Sequence, residues 1–247
     1  GPAVCSHPMR LRSAALTDIG LHRRENEDRF LCLPEYGLYG VADGIGGLPA
    51  GAEAAAQTTE SIAAQIAEHP LNQPLDLPAI VASANAAVLA LARTLSPFYG
   101  MGCTLTFCCV RHDLLHLAHV GDSRAYLYSG HELSCLTSDH SAENESRRRQ
   151  ARGEPPLEYT HANRLALTRC IGQESPPEVD EWRRIIQPGD RYLFCTDGLT
   201  NMVPESEIAE HLRLCQDPHE TLRSLLARAN ARGGLDNITA VLLLAEK

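Results

Sequence analysis

The chain has 247 residues, of which 44% are hydrophobic and 21% charged, which suits one large globular domain or two small ones. Its net charge of −9 argues against a general nucleic-acid-binding surface or a surface for anionic membranes. The nine cysteines are odd in number and form no Cys-x-x-Cys pair, which argues against a closed disulfide framework or a zinc ribbon and indicates reduced core thiols in a cytoplasmic protein.

Residues 9–247 are expected to form a single domain, because neither a low-complexity linker nor an internal repeat interrupts them. Gly1-Pro2 is typical of the remnant of a cleaved tag, and Met9 is a candidate native start. Residues 1–8 are therefore expected to be tag-derived or disordered, and they are set aside.

The chain contains two kinds of apolar pattern. Short runs rich in Val, Leu, Tyr, Phe and Thr, bounded by Gly, Asp or Pro, predict strands, and longer periodic runs predict helices. In chain order they are strands at 29–33 and 37–42, helices at 51–69 and 76–95, strands at 103–110, 114–120, 123–129, 183–187 and 191–195, helices at 204–215 and 218–231, and a strand at 237–245.

The order of these elements predicts an α+β fold. Turn residues such as Asp113 and Gly130 separate consecutive strands, so the strands are expected to pair antiparallel. Two helices follow each block of strands and are expected to cover the outer faces of the sheets. The most apolar stretch, Leu77 to Ala92, is interrupted by Pro78 and Asn85 and predicts a buried helix, not a membrane span.

Residues 138–168 are polar and too long for a plain turn, so they predict a mobile flap or a functional insertion, with a short helix near 141–152. The triplet Arg147-Arg148-Arg149 lies within this flap. Such a triplet is usually a solvated helix face, but beside a cleft it could attract a phosphorylated or acidic partner. Both interpretations stay open at this point.

Acidic residues recur in one local context, at the end of an apolar run and before glycine or another turn former. Carboxylates at strand ends can project into one cleft, and glycine lets the backbone approach closely. Hard cations such as Mg²⁺ and Mn²⁺ prefer these oxygen ligands, and two such ions can share a carboxylate and a water. The pattern by itself suggests a metal-dependent hydrolase built on Asp28, Asp43, Asp122, Asp197 and Asp236.

Other kinds of site are poorly supported. His112, His116 and His119 would share a helix face, but 114–120 reads as a strand, in which His116 and His119 point to opposite faces. His140 is expected to have a structural hydrogen-bonding role. No P-loop, nucleophile elbow or dinucleotide fingerprint is present in the sequence, so kinase, serine-hydrolase and dehydrogenase functions lack support.

Eight short motifs, in order and spanning about residues 13–245, resemble the metal-dependent protein phosphatases, the type-2C Ser/Thr enzymes, and most of all their bacterial branch. Each motif is modest alone, but the ordered set is specific. They are Arg23-x-x-Asn26-Glu27-Asp28, Ala42-Asp43-Gly44-Ile45-Gly46-Gly47, Gly102-Cys103-Thr104, Gly121-Asp122-Ser123-Arg124-Ala125-Tyr126, Leu136-Thr137-Ser138-Asp139-His140-Ser141, Leu167-Thr168-Arg169-Cys170-Ile171-Gly172, Cys195-Thr196-Asp197-Gly198-Leu199-Thr200 and Asp236-Asn237-Ile238-Thr239.

The resemblance implies a four-layer α-β-β-α sandwich with two central antiparallel sheets and a cleft at one end. It also implies two core Mn²⁺ or Mg²⁺ ions and a third, weaker one. Asp43 would bridge the core ions with the Gly44 carbonyl on one of them, and Asp197 and Asp236 would bind the other. Glu27 and Asp28 would lie close to the ions, Asp122 with Asp197 would hold the third, and Arg23 would grip the substrate phosphate.

The expected activity is hydrolysis of phosphoserine and phosphothreonine in proteins by a metal-bridging water, opposing a bacterial Ser/Thr kinase. A monomer is expected, acting on the kinase or its targets, without nucleic-acid or membrane partners. One alternative is a pseudophosphatase that serves as a binding module, although its metal ligands would then be expected to be broken. Another is a phosphodiesterase or nuclease, which the negative charge and the missing basic groove oppose.

Three departures from the resembling family matter. Ile45 stands where many eukaryotic members carry a histidine proposed as general acid, so protonation of the leaving group would come from water or another residue. Asn201 stands where many relatives have aspartate, which would weaken the third metal site. The flap matches only at its ends, so the choice of protein substrate is left open.

Overall fold

The computed structural model describes residues 9–247, so the expectation for residues 1–8 lies outside the described part. In chain order the strands are β1 (Arg10–Asp18), β2 (Asp28–Leu33), β3 (Leu38–Asp43), β4 (Leu105–Arg111), β5 (Leu114–Val120), β6 (Arg124–Ser129), β7 (Glu132–Cys135), β8 (Asp180–Ile185), β9 (Arg191–Cys195) and β10 (Ile238–Glu246). The helices are α1 (Gly51–Glu68), α2 (Leu77–Leu95), α3 (Ala142–Ala151), α4 (Asp197–Thr200), α5 (Glu205–Arg213) and α6 (Pro218–Ala231).

The strands form two five-stranded antiparallel sheets. The first has the order β1-β10-β9-β6-β7, and the second has the order β2-β3-β4-β5-β8. Helices α1 and α2 pack on the outer face of the second sheet, and α5 and α6 pack on the outer face of the first. This is the predicted α-β-β-α sandwich, and the expectation of helices on both outer faces is confirmed.

The two sheets share an apolar inner layer in which side chains from facing strands meet. Val41 and Cys108 come from the second sheet, and Tyr192, Phe194 and Val241 come from the first. All five are buried, with at most 2% of the surface of any of them exposed. Because interiors are close-packed, this layer fixes the distance between the sheets and therefore between the loops that leave their ends.

Helix α2 is long and apolar enough to cross a membrane by length and composition alone, a test that core helices of soluble proteins also pass. In the structure its buried side, which includes Leu77, Val81 and Val88, packs into the core between α1 and the second sheet. Its start follows from Asp76, whose carboxylate accepts a hydrogen bond from the N–H of Ala79, and from Pro78 in the first turn. The expected buried helix is confirmed.

The sequence patterns missed β1 and β7 and placed β8 three residues too late. All three strands lie at the edges of their sheets. An edge strand pairs on one side only and needs no continuous apolar run, and in β8 exposed and half-buried residues alternate. The first residue of β1, Arg10, pairs with Glu246 of β10, and its last residue, Asp18, pairs with Ile238.

Replacing Phe194 by alanine is expected to lower the free energy of unfolding by about 3–5 kcal/mol, because the ring fills the layer between the sheets and its removal leaves a cavity. Urea denaturation followed by circular dichroism measures the change. Phe98→Ala is the matched control, since this ring is 92% exposed and its loss should cost less than about 0.5 kcal/mol. Similar losses in the two variants would show that the inner layer is not tightly packed.

Candidate metal centre and active site

One end of the sandwich carries an acidic cavity of about 230 Å³. Seven of the eight residues predicted for the site line it, and Asp28 lies beside it, buried. The lining residues are Arg23, Glu27, Asp43, Gly44, Ile45, Gly46, Thr104, Asp122, Leu167, Asp197, Asp236 and Asn237. The structure thus brings together residues spread over more than 200 positions of the chain, and their individual roles as ligands stay predictions.

Both sheets supply carboxylates to the cavity. Asp28 and Asp43 are paired across β2 and β3 at the end of the second sheet. Asp197 follows β9 and Asp236 precedes β10 at the end of the first sheet. Asp122 lies in the short connection by which the chain passes from β5 to β6, and so from one sheet to the other. The strand ends therefore hold the carboxylates together, as the sequence pattern predicted.

Close backbone packing at two glycines makes this convergence possible. The N–H of Gly44 donates to the carbonyl of Glu27 at 3.0 Å, and a Cβ at Gly44 would overlap the backbone of Gly51. A Cβ at Gly198 would overlap the carbonyl oxygen of Asn237. Any larger residue at either place would push apart segments that carry the acidic side chains.

Several buried carboxylate oxygens in this region have no hydrogen-bond donor from the protein. Asp28 Oδ2 accepts from Thr196 Oγ1 at 2.9 Å and from Thr239 Oγ1 at 2.7 Å, whereas its Oδ1 has no partner. Glu27 Oε2 and Asp197 Oδ1 are likewise buried without a partner. Unpaired buried anionic oxygens are costly, and a divalent cation with oxygen ligands would satisfy them. The donor set therefore fits a hard metal ion.

The pKa values of these carboxyls are raised, which reflects the same unfavourable burial of negative charge. Burial, followed by the charges of Asp28 and Asp197, raises the pKa of Asp43 well above its ordinary value. Burial raises the pKa of Asp28 to about 6, although hydrogen bonds from the two threonines oppose it. Burial and repulsion from Asp197 raise the pKa of Asp122 to about 7. Burial also raises the pKa values of Glu27 and Asp197.

Arg23 lies at the mouth of the cavity, with Nε 3.3 Å from Asp236 Oδ1 and 44% of its side chain exposed. A Cβ at Gly46 would come within 3.2 Å of its Nη1, so the guanidinium reaches across to the loop after Asp43. This position suits a group that binds an anion entering the cavity. Arg24 is exposed and is not among the residues that line the cavity.

Asn237, for which the sequence predicted no role, connects two loops of the site. Its Oδ1 accepts from the N–H of Glu27 at 2.9 Å, and its Nδ2 donates to the carbonyls of Ile19 and Glu25 at 2.9 and 3.0 Å. It therefore joins the loop carrying Arg23 and Glu27 to the loop carrying Asp236. The signal that could have identified it was its place beside Asp236 in the motif Asp236-Asn237-Ile238-Thr239.

His140 lies outside the cavity and links the flap to the Asp122 connection. Its Nδ1 accepts from the N–H of Gly121 at 2.9 Å, and its Nε2 is 2.8 Å from Asp180 Oδ2. Because Nδ1 accepts, Nε2 must carry the proton and donate to Asp180. The structural role expected for His140 agrees with these contacts, since the ring is buried and both nitrogens are engaged.

Asp180 also accepts hydrogen bonds at 3.1 Å from Arg148, within the flap, and from Arg169, directly after it. Burial alone would raise the pKa of Asp180, but the hydrogen bond from His140, together with the hydrogen bond and charge of Arg148, brings it below its ordinary value. In the same triplet, Arg147 pairs with Glu143 and Arg149 with Glu145. The three arginines thus point to three different partners, which favours a structural role over an open cationic surface.

The sequence profile of the family described as protein phosphatase 2C matches residues 12–238. The chain belongs to the protein phosphatase 2C family. It is a metal-dependent protein serine/threonine phosphatase, and its substrates are phosphoproteins. The family, the fold and the enzyme class predicted from the motifs are confirmed.

Named relatives agree with this assignment. The serine/threonine phosphatase stp of Listeria monocytogenes is 34% identical over 243 residues, covering 92% of this chain and 93% of the relative. The Streptococcus agalactiae serine/threonine phosphatase structure superposes with a TM-score of 0.82 at 31% identity, over 95% of this chain and 99% of the other. The catalytic domain of the phosphatase PstP, solved with two manganese ions, gives 0.80 at 32% identity, over 97% and 100%.

The two residues that depart from the phosphatase pattern have defined places. Ile45 lines the cavity, and of the described residues that do so none is a histidine. Asn201 ends α4, and its N–H donates to the carbonyl of Asp197 at 2.9 Å. The first departure leaves the cavity wall without an imidazole acid, and the second leaves the backbone of the Asp197 turn intact.

Without divalent metal, the phosphatase is expected to lose thermal stability as pH rises from about 6.5 to about 8. A carboxyl whose pKa is higher in the folded than in the unfolded chain stabilises the fold while protonated, and this stability is lost as pH rises through the folded value, about 7 for Asp122. The lowered pKa values of His116 and His119 act below this window, where histidine would otherwise become charged. Thermal melts in EDTA at several pH values measure the trend.

Asp122→Asn, which does not titrate, should make this dependence on pH shallower. Added Mn²⁺ should reverse it, because the metal binds the deprotonated carboxylates and so stabilises the fold more strongly as pH rises. A melting temperature in EDTA that climbs steadily from pH 6.5 to 8 would show that the site carboxyls are not held in the way described.

Proposed function

We propose that this phosphatase holds two core ions and a third, weaker one in the acidic cavity, and that it removes phosphate from the targets of a Ser/Thr kinase or from the kinase itself. The observation that carries the proposal is the set of unpartnered buried oxygens on Glu27, Asp28 and Asp197 around one cavity. A set of anionic oxygens without donors is poorly explained by folding alone and well explained by cation binding.

The proposed ligand roles follow the positions of the side chains. Asp43 lies close enough to both Asp28 and Asp197 for their charges to raise its pKa, and it is assigned as the carboxylate shared by the two core ions. Asp197 and Asp236 come from the first sheet and are assigned to one core ion, and Gly44 to the other. Asp122, whose pKa is raised by the charge of Asp197, is assigned with Asp197 to the third ion.

The chain's own groups bind and orient the phosphoryl group. Arg23 donates hydrogen bonds to its oxygens, and Asp236 keeps the guanidinium at the cavity mouth through the 3.3 Å contact. Bound divalent ions supply a Lewis acid that offsets the charge of the phosphoryl oxygens and makes water more acidic. With Ile45 in the cavity wall, the leaving alkoxide receives its proton from solvent. No covalent intermediate with the chain is required.

We further propose that the enzyme is a monomer and that it works in the cytoplasm. The eight cysteines in the described part of the chain are all free, and five of them are buried in the core. Thiols in this number suit a reducing compartment. The negative net charge supports phosphoproteins over nucleic acids as substrates.

Hydrolysis of an aryl phosphate and of a phosphothreonine peptide with Mn²⁺, lost on addition of EDTA, tests the function directly. A side-by-side assay on single-stranded DNA separates a protein phosphatase from a nuclease. Absence of turnover over a range of metals and pH values would favour the binding-module alternative.

Asp197→Asn and Asp236→Asn are each expected to lower kcat by at least about 100-fold, because each replaces an anionic ligand by a neutral amide and weakens the metal site. Turnover of an aryl phosphate with Mn²⁺ measures this, and circular dichroism checks that the fold survives. Asp113→Asn is the matched control, since Asp113 lies in the turn at the far end of the sheet, where asparagine tolerates its φ of 63°. Near-normal activity of either site variant would show that the ligand assignment is wrong.

Arg23→Ala is expected to raise KM for a phosphopeptide by about tenfold or more, with a smaller effect on kcat, because a hydrogen-bonded ion pair with the phosphate is lost. Steady-state kinetics at saturating Mn²⁺ measure the two constants separately. Arg24→Ala is the control and should leave KM unchanged. If Arg24→Ala instead raises KM and Arg23→Ala leaves it unchanged, Arg24 is the residue that binds the phosphate.

A further inference from the structure

A small apolar patch borders the mouth of the cavity and is formed by Leu21, Met202 and Leu235. Leu21 and Leu235 are 65% and 58% exposed, which is high for leucine. A Cβ at Gly234 would lie 2.8 Å from Leu21 Cγ, and a Cβ at Gly233 would lie 3.4 Å from Met202 Cε and 3.7 Å from Leu235 Cδ2. The three side chains therefore gather around two consecutive glycines. We call these three residues the rim patch.

The rim patch is held rigidly by the backbone beneath it. The N–H of Leu21 donates to the carbonyl of Gly234 at 2.7 Å, which joins the loops that carry Leu21 and Leu235. The side chains of Asn230 and Asn237 strengthen the junction by donating to Asp18 Oδ1 and to the carbonyl of Ile19. An apolar surface that is already ordered loses little entropy when a ligand covers it.

The rim patch is continuous with the phosphate-binding end of the cavity. Arg23 lies two residues after Leu21, and Asp236 follows Leu235 directly. Arg23 and Asp236 both line the cavity and contact each other at 3.3 Å. A phosphate bound at Arg23 would therefore place the neighbouring residues of its own polypeptide close to the patch, since an extended chain advances about 3.3 Å per residue.

We propose that the rim patch is a substrate subsite that binds an apolar side chain of the phosphoprotein, one to three residues from the phosphoserine or phosphothreonine. The inference rests on the proposed function of the cavity, because that function fixes where the phosphoresidue lies. Leucine, isoleucine or methionine would bury its side chain against Leu21 and Leu235, and removal of this apolar surface from water supplies the affinity. The phosphatase would thus select sequence around the phosphoresidue as well as the phosphate.

The test uses a set of phosphothreonine peptides. Each peptide carries one leucine at one of the three positions on either side of the phosphothreonine, with serine at the other flanking positions. The wild-type enzyme should show higher kcat/KM for a leucine at one or more positions than for the all-serine reference. Leu21→Ser and Leu235→Ser should each lower kcat/KM for the preferred leucine peptide by about tenfold, the scale expected for losing one apolar contact. Both variants should hydrolyse the all-serine peptide and an aryl phosphate at wild-type rates.

Leu214→Ser is the matched control, because this leucine is 60% exposed at the end of α5 and lies away from the cavity. It should leave every peptide unchanged. The proposal is overturned if no leucine position is preferred, or if Leu21→Ser and Leu235→Ser affect the leucine and serine peptides equally. It is also overturned if sedimentation shows a dimer that Leu21→Ser dissociates, since the patch would then be a contact between two copies of the chain.

Failure of the proposed function would look different. If the wild-type enzyme hydrolyses neither the aryl phosphate nor any peptide, the catalytic assignment is wrong whatever the patch does. Fluorescence anisotropy of the same peptides, labelled and bound to the Asp197→Asn variant, still reports whether leucine tightens binding. A dissociation constant that is equal for leucine and serine peptides in that assay rejects the subsite independently of turnover.

Discussion

The constraint on which the site depends is the repulsion between carboxylates that the fold holds together out of bulk water. Asp28, Asp43, Asp122 and Asp197 all have raised pKa values, with burial as the largest cause in each case. Left alone, these side chains would separate or take up protons. They stay together because each begins or ends a segment whose backbone is hydrogen-bonded elsewhere, and this enforced proximity is what suits the cavity to the proposed binding of hard cations.

The packing of the two sheets keeps these carboxylates close together despite their repulsion. Asp28 and Asp43 belong to one sheet, Asp197 and Asp236 flank strands of the other, and Asp122 lies where the chain crosses between them. Their separation is therefore set by the packed layer between the sheets. The helices on the outer faces supply none of the residues proposed as ligands, but they cover the apolar outer faces of the sheets, whose packing keeps this spacing.

The sequence predicted most of the strands, the covering helices and the aspartates that line the cavity, since each has a strong local signal, whereas Arg23 and Gly44 were predicted through the resemblance to the phosphatases. Strands such as β3 and β9 are continuous apolar runs, and each acidic residue sits at a visible end of such a run. Edge strands β1, β7 and β8 lack such a signal, because a strand paired on one side only need not be apolar throughout. The fourth edge strand, β2, does carry an apolar run, and it was predicted.

The contacts that support the site could not be predicted from the sequence either. Asn237 joins loops that are over 200 residues apart along the chain. The unpaired oxygens of Glu27 and Asp197, like the exposed leucines around Gly233 and Gly234, depend on tertiary neighbours that no local pattern reveals. Resemblance to the phosphatases supplied the predicted ligand residues, whereas the hydrogen bonds around those residues became visible only in the fold.

The pairing of β1 with β10 also decides how the domain can be attached to anything else. Arg10 and Glu246 are register partners at the end of the sheet away from the cavity, while Asp18 and Ile238 pair at the end beside it. The start of β1 and the end of β10 therefore lie side by side, at the end of the sheet opposite the cavity. A tether fused to either extremity would keep the catalytic mouth pointing outward and open to bulky phosphoproteins, and a short bridge between the extremities would close the chain into a ring without crossing the cleft.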